Sequence, residues 1–221
     1  PSATPSATPA PGGAKTPGPA EGSLTVLTFR GYVEYGGGDP KVDWVTPFQR
    51  ESGCRVTRLD FARSAEEMAK LFAERDYDVV SAPPELAGEL IEKGAVAALD
   101  TALIPSYKEI PSWLRRLPAV TVDGTPYGVP YLWGVHRLAY DTTAGRPAGW
   151  RDLFRGEGTV MLRDTPLTIA DAALALPDVD DPFRLTPAQL EAAVALLAAN
   201  RERLAYWSDP TDVVRGFAGG S

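Results

Sequence analysis

The sequence predicts an α/β fold with parallel strands, built in two successive blocks, and three observations carry that expectation. Short apolar, β-branched runs alternate with amphipathic helical patterns from Ser23 to Gly94. A second strand-and-helix block follows "GRPAGWRDLF" at 145–154. Before Ser23 the composition is of another kind altogether: residues 1–22 repeat PSAT, hold six prolines and have almost no large apolar side chain. Such a leader cannot offset its own ordering entropy, and a disordered, polyproline-prone tether is expected over 1–22.

"LTVLTF" (24–29) reads as a buried strand. "PKVDWVTPFQRES" (40–52) puts Val42, Val45 and Phe48 at helical spacing, with Pro47 expected to kink or split the helix. "RVTRLDF" (55–61) is the second strand, and "SAEEMAKLFAER" (64–75) a helix opened by the capping box Ser64-x-x-Glu67. "YDVVS" (77–81) is the third strand, and "PPELAGELIEKG" (83–94) a helix that starts after proline and stops at Gly94. Strands separated by helices pair in parallel.

"TVDGTPYGV" (121–129) predicts a hairpin around Asp123-Gly124, and "GVHRLAYDT" (134–142) a further strand. The second block holds the strand "TVML" (159–162), the helix "LTIADAALAL" (167–176) and the helix "TPAQLEAAVALLAANRERL" (186–204), capped by Thr186 and Gln189. A last helix begins at "SDPTDVV" and ends at Gly219. Helices outnumber strands here, so the second sheet is expected to be incomplete.

Composition excludes several functions. A net charge of −7 argues against a nucleic-acid partner, which needs clustered Lys and Arg. An acidic surface suits a cationic ligand, and equally serves solubility alone. One cysteine, Cys54, rules out an internal disulfide and a cysteine metal cluster, and one histidine, His136, disfavours a His-based metal site or dyad. No apolar run approaches a membrane span. The first residue is proline, not methionine, so a processed or trimmed product is expected. The usual catalytic motifs are missing: no G-x-S-x-G, H-E-x-x-H, G-x-x-x-x-G-K-[ST] or C-x-x-C. No enzyme, metal or cofactor is expected.

In open parallel sheets ligands collect beyond the carboxyl ends of strands. That rule selects Phe29, Tyr32 and Glu34 after the first strand, and Ser81 and Glu85 after the third. Asp78, at the start of its strand, reads as structural. "YGVPYLWG" (127–134) crowds Tyr127, Tyr131 and Trp133 around Pro130, as either a core plug or a ligand platform. Aromatic faces attract organic cations, and carboxylates accept charged hydrogen bonds from ammonium groups.

From about Leu24 onward, these words and their order resemble the periplasmic spermidine/putrescine-binding proteins of ABC transporters. "YGVPYLWG" is the most specific match, supported by "YDVVS", "GWRDLF" and "YWSDP"; "GYVEYGGGDPKVDWVTPFQRESGCRV" resembles actinobacterial members. The resemblance implies a periplasmic-binding-protein-like, type II two-lobed fold, with a first lobe over 23–136 and a partial second lobe over 137–221. It implies a polyamine-like cation held between the lobes, an ABC permease as membrane partner and an extracytoplasmic location. A monomer is expected, and a leader such as 1–22 suits a lipid anchor upstream and equally a flexible segment without a role. Phe29 and Tyr32 match the family's aromatic pair, Tyr131 and Trp133 its "P-Y-x-W-G" segment, and Asp164 an acidic residue of the second lobe. Phe29, Tyr32 and Trp133 would stack on the ligand, Tyr131 would shape the pocket, and Glu34, Glu85 and Asp164 would accept ammonium groups.

Two departures stand out. Thr168 falls where polyamine binders carry another acid, with Asp171 expected to face solvent, and family chains continue past "FAGG", which marks a fragment or truncated product. The alternatives are a binding protein for a different small solute and a truncated ligand-sensing fragment without transport activity.

Overall fold

The structure, a computed structural model, describes residues 21–143, 145–208 and 210–219. All but the last two residues of the expected tether lie outside them. The chain divides into two compact units, one ending at Trp133 and the other beginning at Gly134. Both are α/β with parallel strands, the expected class.

In the first unit β1 (Ser23–Phe29) lies between β2 (Arg55–Ala62) and β3 (Val79–Val80), all parallel. The central strand is buried on both faces over Val26–Thr28 because both are covered. On one face Leu27, Ala62 and Met68 join Leu86 and Leu90; on the other, Val26 meets Val33 and Val45. The helices supplying these contacts are α1 (Val45–Ser52), α2 (Ala65–Glu74) and α3 (Pro84–Glu92).

Two local expectations change. The helix predicted from 40 starts at Val45, so Pro47 falls in its first turn, where a missing N–H costs no helical bond. The α2 capping box is half formed: the Ser64 hydroxyl accepts from the Glu67 amide at 3.1 Å, but the Glu67 carboxylate takes the amide and guanidinium of Arg63 instead of the Ser64 amide.

Beyond α3 come two 3-10 turns (Thr101–Leu103 and Pro105–Glu109) and the short helix α4 (Ser112–Arg115). The predicted hairpin follows as β4 (Thr121–Val122) and β5 (Thr125–Pro126). Asp123 and Gly124 both have positive φ, 49° and 78°, the backbone that a two-residue hairpin turn demands.

The second unit begins with 134–142, which forms no regular element where a strand was predicted. A strand needs a hydrogen-bonded neighbour, and among the described residues nothing pairs with this stretch. Then come α5 (Trp150–Leu153), β6 (Val160–Arg163), α6 (Leu167–Ala173), α7 (Pro187–Ala199), β7 (Leu204–Trp207) and α8 (Pro210–Ala218). Thr186 and Gln189 close a complete capping box. The predicted helix stops near Asn200, and "LAYW" becomes β7, pairing in parallel with β6. Ala172, Ala173 and Ala193 are fully buried where α6 meets α7, together with Phe154.

Candidate functional site

The order β2-β1-β3 sends the chain from β1 to one side and then back across to the other. The loops after β1 and β3 therefore diverge, the topology at which open α/β sheets place their ligands. Five of the expected site residues follow them.

Phe29 ends β1. Phe29, Arg30, Gly31 and Tyr32 form a turn closed by the Tyr32 amide donating to the Phe29 carbonyl at 3.1 Å. Gly31 holds φ 86°, which an L side chain avoids. The turn brings the rings of Phe29 and Tyr32 edge-to-face at 5.5 Å. Tyr131, arriving after the β4–β5 hairpin, sets its ring 6.4 Å from Tyr32 and donates its hydroxyl to the Tyr32 carbonyl at 2.7 Å. Three of the expected aromatics thus form one continuous row.

Trp133, two residues on, makes its ring contact with Trp113 of α4, edge-to-face at 5.4 Å. Trp133 is 64% exposed and Tyr131 is 55% exposed. Within this unit both rings lie at the surface. The sequence offered no reason to single out Trp113: it lies in a four-residue helix, too short to show periodicity.

The carboxylates are placed differently from one another. Glu85 sits in the first turn of α3, and its Oε2 is buried without a hydrogen-bond partner among the described residues. Leu86, the next residue, belongs to the apolar cluster on which Phe29 packs. Ser81 lies in the loop between β3 and α3, its amide held by the Leu27 carbonyl at 2.9 Å. Glu34 is half-buried. Its carbonyl receives the amides of Trp44 and Val45, and one carboxylate oxygen lies beside Gly31. Asp78 is structural, as read: one carboxylate oxygen accepts from both the Thr25 amide and hydroxyl at 2.7 Å. Those hydrogen bonds hold its carboxyl below the usual range.

In the second unit Asp164 is exposed just past β6, its amide donating to the Trp207 carbonyl at 2.8 Å. Thr168 is 3% exposed and its hydroxyl donates to the Arg163 carbonyl, so it faces the interior of its unit. Asp171 corrects the expectation of a solvent-facing side chain. It turns inward, with its two oxygens 3.0 and 3.1 Å from Nδ1 of His136. Burial raises its carboxyl above the ordinary 3.8, and His136 opposes the rise.

Among the described residues no group of His, Cys, Asp and Glu side chains could hold a metal ion, and no helix is long and apolar enough to cross a membrane.

Known proteins share this chain's pattern. The model of the family described as bacterial extracellular solute-binding protein matches residues 43–221. A putrescine/agmatine-binding protein of Pseudomonas aeruginosa is 28% identical over 148 residues, covering 61% of this chain and 40% of that protein. A solved spermidine/putrescine ABC transporter substrate-binding protein of Streptococcus pneumoniae superposes with a TM-score of 0.54 at 20% identity, over 83% of this chain and 55% of that one. A solved GABA receptor superposes at 0.56 and 18% identity, over 89% and 59%. The chain therefore spans well under two thirds of the length of these relatives.

Proposed function

Because the chain belongs to the bacterial extracellular solute-binding protein family, we propose that it captures a polyamine-like cation outside the cytoplasm for an ABC permease in the membrane. The ligand class is that of putrescine, agmatine or spermidine, the compounds for which two of the three similar proteins are named. One observation carries the reading: the ring row Phe29, Tyr32, Tyr131 leads off the carboxyl end of β1, and the untied, buried carboxylate oxygen of Glu85 follows the neighbouring strand. A buried carboxylate oxygen without a donor is costly, and an ammonium group supplies three donors. The rings of the row would attract the same charge and cover the alkyl chain.

Trp133 extends the platform. Ser81 and Glu34 complete the proposed set of ligand contacts in the first unit, and Asp164 is the candidate contact of the second. The assignment of 23–136 and 137–221 as functional lobes, the type II arrangement, lipid anchoring ahead of the tether and a monomeric state belong to the same proposal.

Calorimetric titration with putrescine, agmatine and spermidine tests it. Saturable one-site binding is expected, and Glu85→Gln should weaken it about tenfold or more, the scale of one charge-assisted hydrogen bond. A folded chain that gives no heat with any of the three would remove polyamines from consideration. A different small solute is the second reading, favoured by Thr168. Its hydroxyl is committed to the Arg163 carbonyl, which leaves Asp164 as the exposed acid of the turn between β6 and α6.

A further inference from the structure

We propose that the second unit holds a binding site of its own, a cavity beside α5 that takes a small organic carboxylate with an apolar body. The site lies outside the amine-binding reading and uses none of its residues. The cavity measures about 270 Å³ and is lined from α5, from the turn after α6 and from the C-terminal part of α7. That volume is at the small end of the range in which proteins hold organic ligands.

One part of its wall is apolar and fixed. Phe154 is 9% exposed, and Leu176 and Leu196 pack against the buried cluster to which Phe154 belongs. Pro177 completes the apolar lining. Such a surface removes the hydrocarbon part of a ligand from water.

The other part is cationic. Arg151 and Arg155 both line the cavity, and among the described residues no Asp or Glu does. Arg151 is oriented by its Nε, which donates to the Ala175 carbonyl at 3.1 Å, and no described carboxylate pairs with either guanidinium. Asp152, the acid next to Arg151, is committed to the Ala148 amide at 2.6 Å. Arg155 sits on a held turn: its amide and that of Gly156 donate to the Asp152 carbonyl at 3.3 and 3.2 Å, and Arg203 donates to the Leu153 carbonyl at 3.3 Å. Two like charges beside one cavity are relieved by an anion bound there, and a guanidinium offers a carboxylate paired donors. The apolar lining selects an acid with a hydrocarbon body over a bare inorganic anion.

Calorimetric titration of the wild type with hexanoate, acetate and hexanamide tests it. Hexanoate should bind saturably at one site; acetate, without the chain, and hexanamide, without the charge, should each bind at least about tenfold more weakly. Arg155 is exposed, so Arg155→Gln should fold, and it should weaken hexanoate about tenfold or more. Arg155→Lys, which keeps the charge without the paired donors, should lie between. Whatever the wild type shows with putrescine, Arg155→Gln should show as well, so failure here and failure of the amine reading are told apart. No saturable binding of hexanoate, equal binding of acetate or hexanamide, or an unchanged hexanoate affinity in Arg155→Gln overturns the proposal.

Discussion

Trp133→Ala separates a ligand platform from a structural plug by magnitude. About a third of the Trp133 side chain is covered. Of the roughly 250 Å² that a tryptophan can bury, that is about 90 Å². At about 25 cal/mol per Å² the covered area contributes at most about 2 kcal/mol, and alanine retains part of it. Truncating a fully buried aromatic costs about 3–5 kcal/mol. Urea denaturation followed by far-ultraviolet circular dichroism should therefore show a loss of about 1–2 kcal/mol. Titration of the same variant should show weakened or abolished amine binding. A stability loss above about 3 kcal/mol with binding retained would refute the argument and restore Trp133 to the core.

The other expectations concern the second unit. Thr168→Glu places an acid where the resemblance to polyamine binders implies one, but at a position 3% exposed whose hydroxyl serves the Arg163 carbonyl. It should cost at least about 3 kcal/mol in a denaturant melt and leave amine affinity no tighter, because it buries an unpaired charge; a stable variant with tighter spermidine binding would contradict this. Asp171 has a folded-state carboxyl raised above 3.8 by burial, so the folded state holds its proton more firmly than the unfolded chain does. Its contribution is present below 3.8 and is lost as pH rises through the raised value. Stability of the wild type measured from pH 3.8 up through the raised value should carry this decline, and Asp171→Asn should remove it; an identical slope in the variant would show that the carboxyl does not titrate as described.

How much of this was legible depended on how local each feature is. Strands β1 and β2 and helices α2 and α3 could be read because their apolar spacing is their burial: Leu27, Met68, Leu86 and Leu90 sit where periodicity puts a core. The carboxyl-end rule then picked out Phe29 and Tyr32, and the turn at Gly31 explains why their rings meet. Strand β7 was hidden because Leu204 continues the spacing of the helix before it. The chain breaks instead at Asn200, whose side-chain amide donates back to the Leu196 carbonyl at 2.9 Å. The stretch 134–142 failed the other way, since its alternation has no partner to make it a strand. The His136–Asp171 pair spans 35 positions, and Trp113 meets Trp133 only through the packing of a short helix. No window of sequence contains either contact.

The hydroxyl of Tyr131 reaches a main-chain carbonyl 99 residues earlier in the chain, at Tyr32. If the ring row binds a solute as proposed, the effect of this bond is on the entropy and speed of capture. Immobilising a rotamer-rich side chain during association costs about 0.5–1.5 kcal/mol, and a ring already anchored to a distant backbone has less of that freedom left to lose. A solute that stacks on these two tyrosines meets a surface set before it arrives. Its encounter with that surface is then limited by diffusion and orientation rather than by the time needed to assemble the wall.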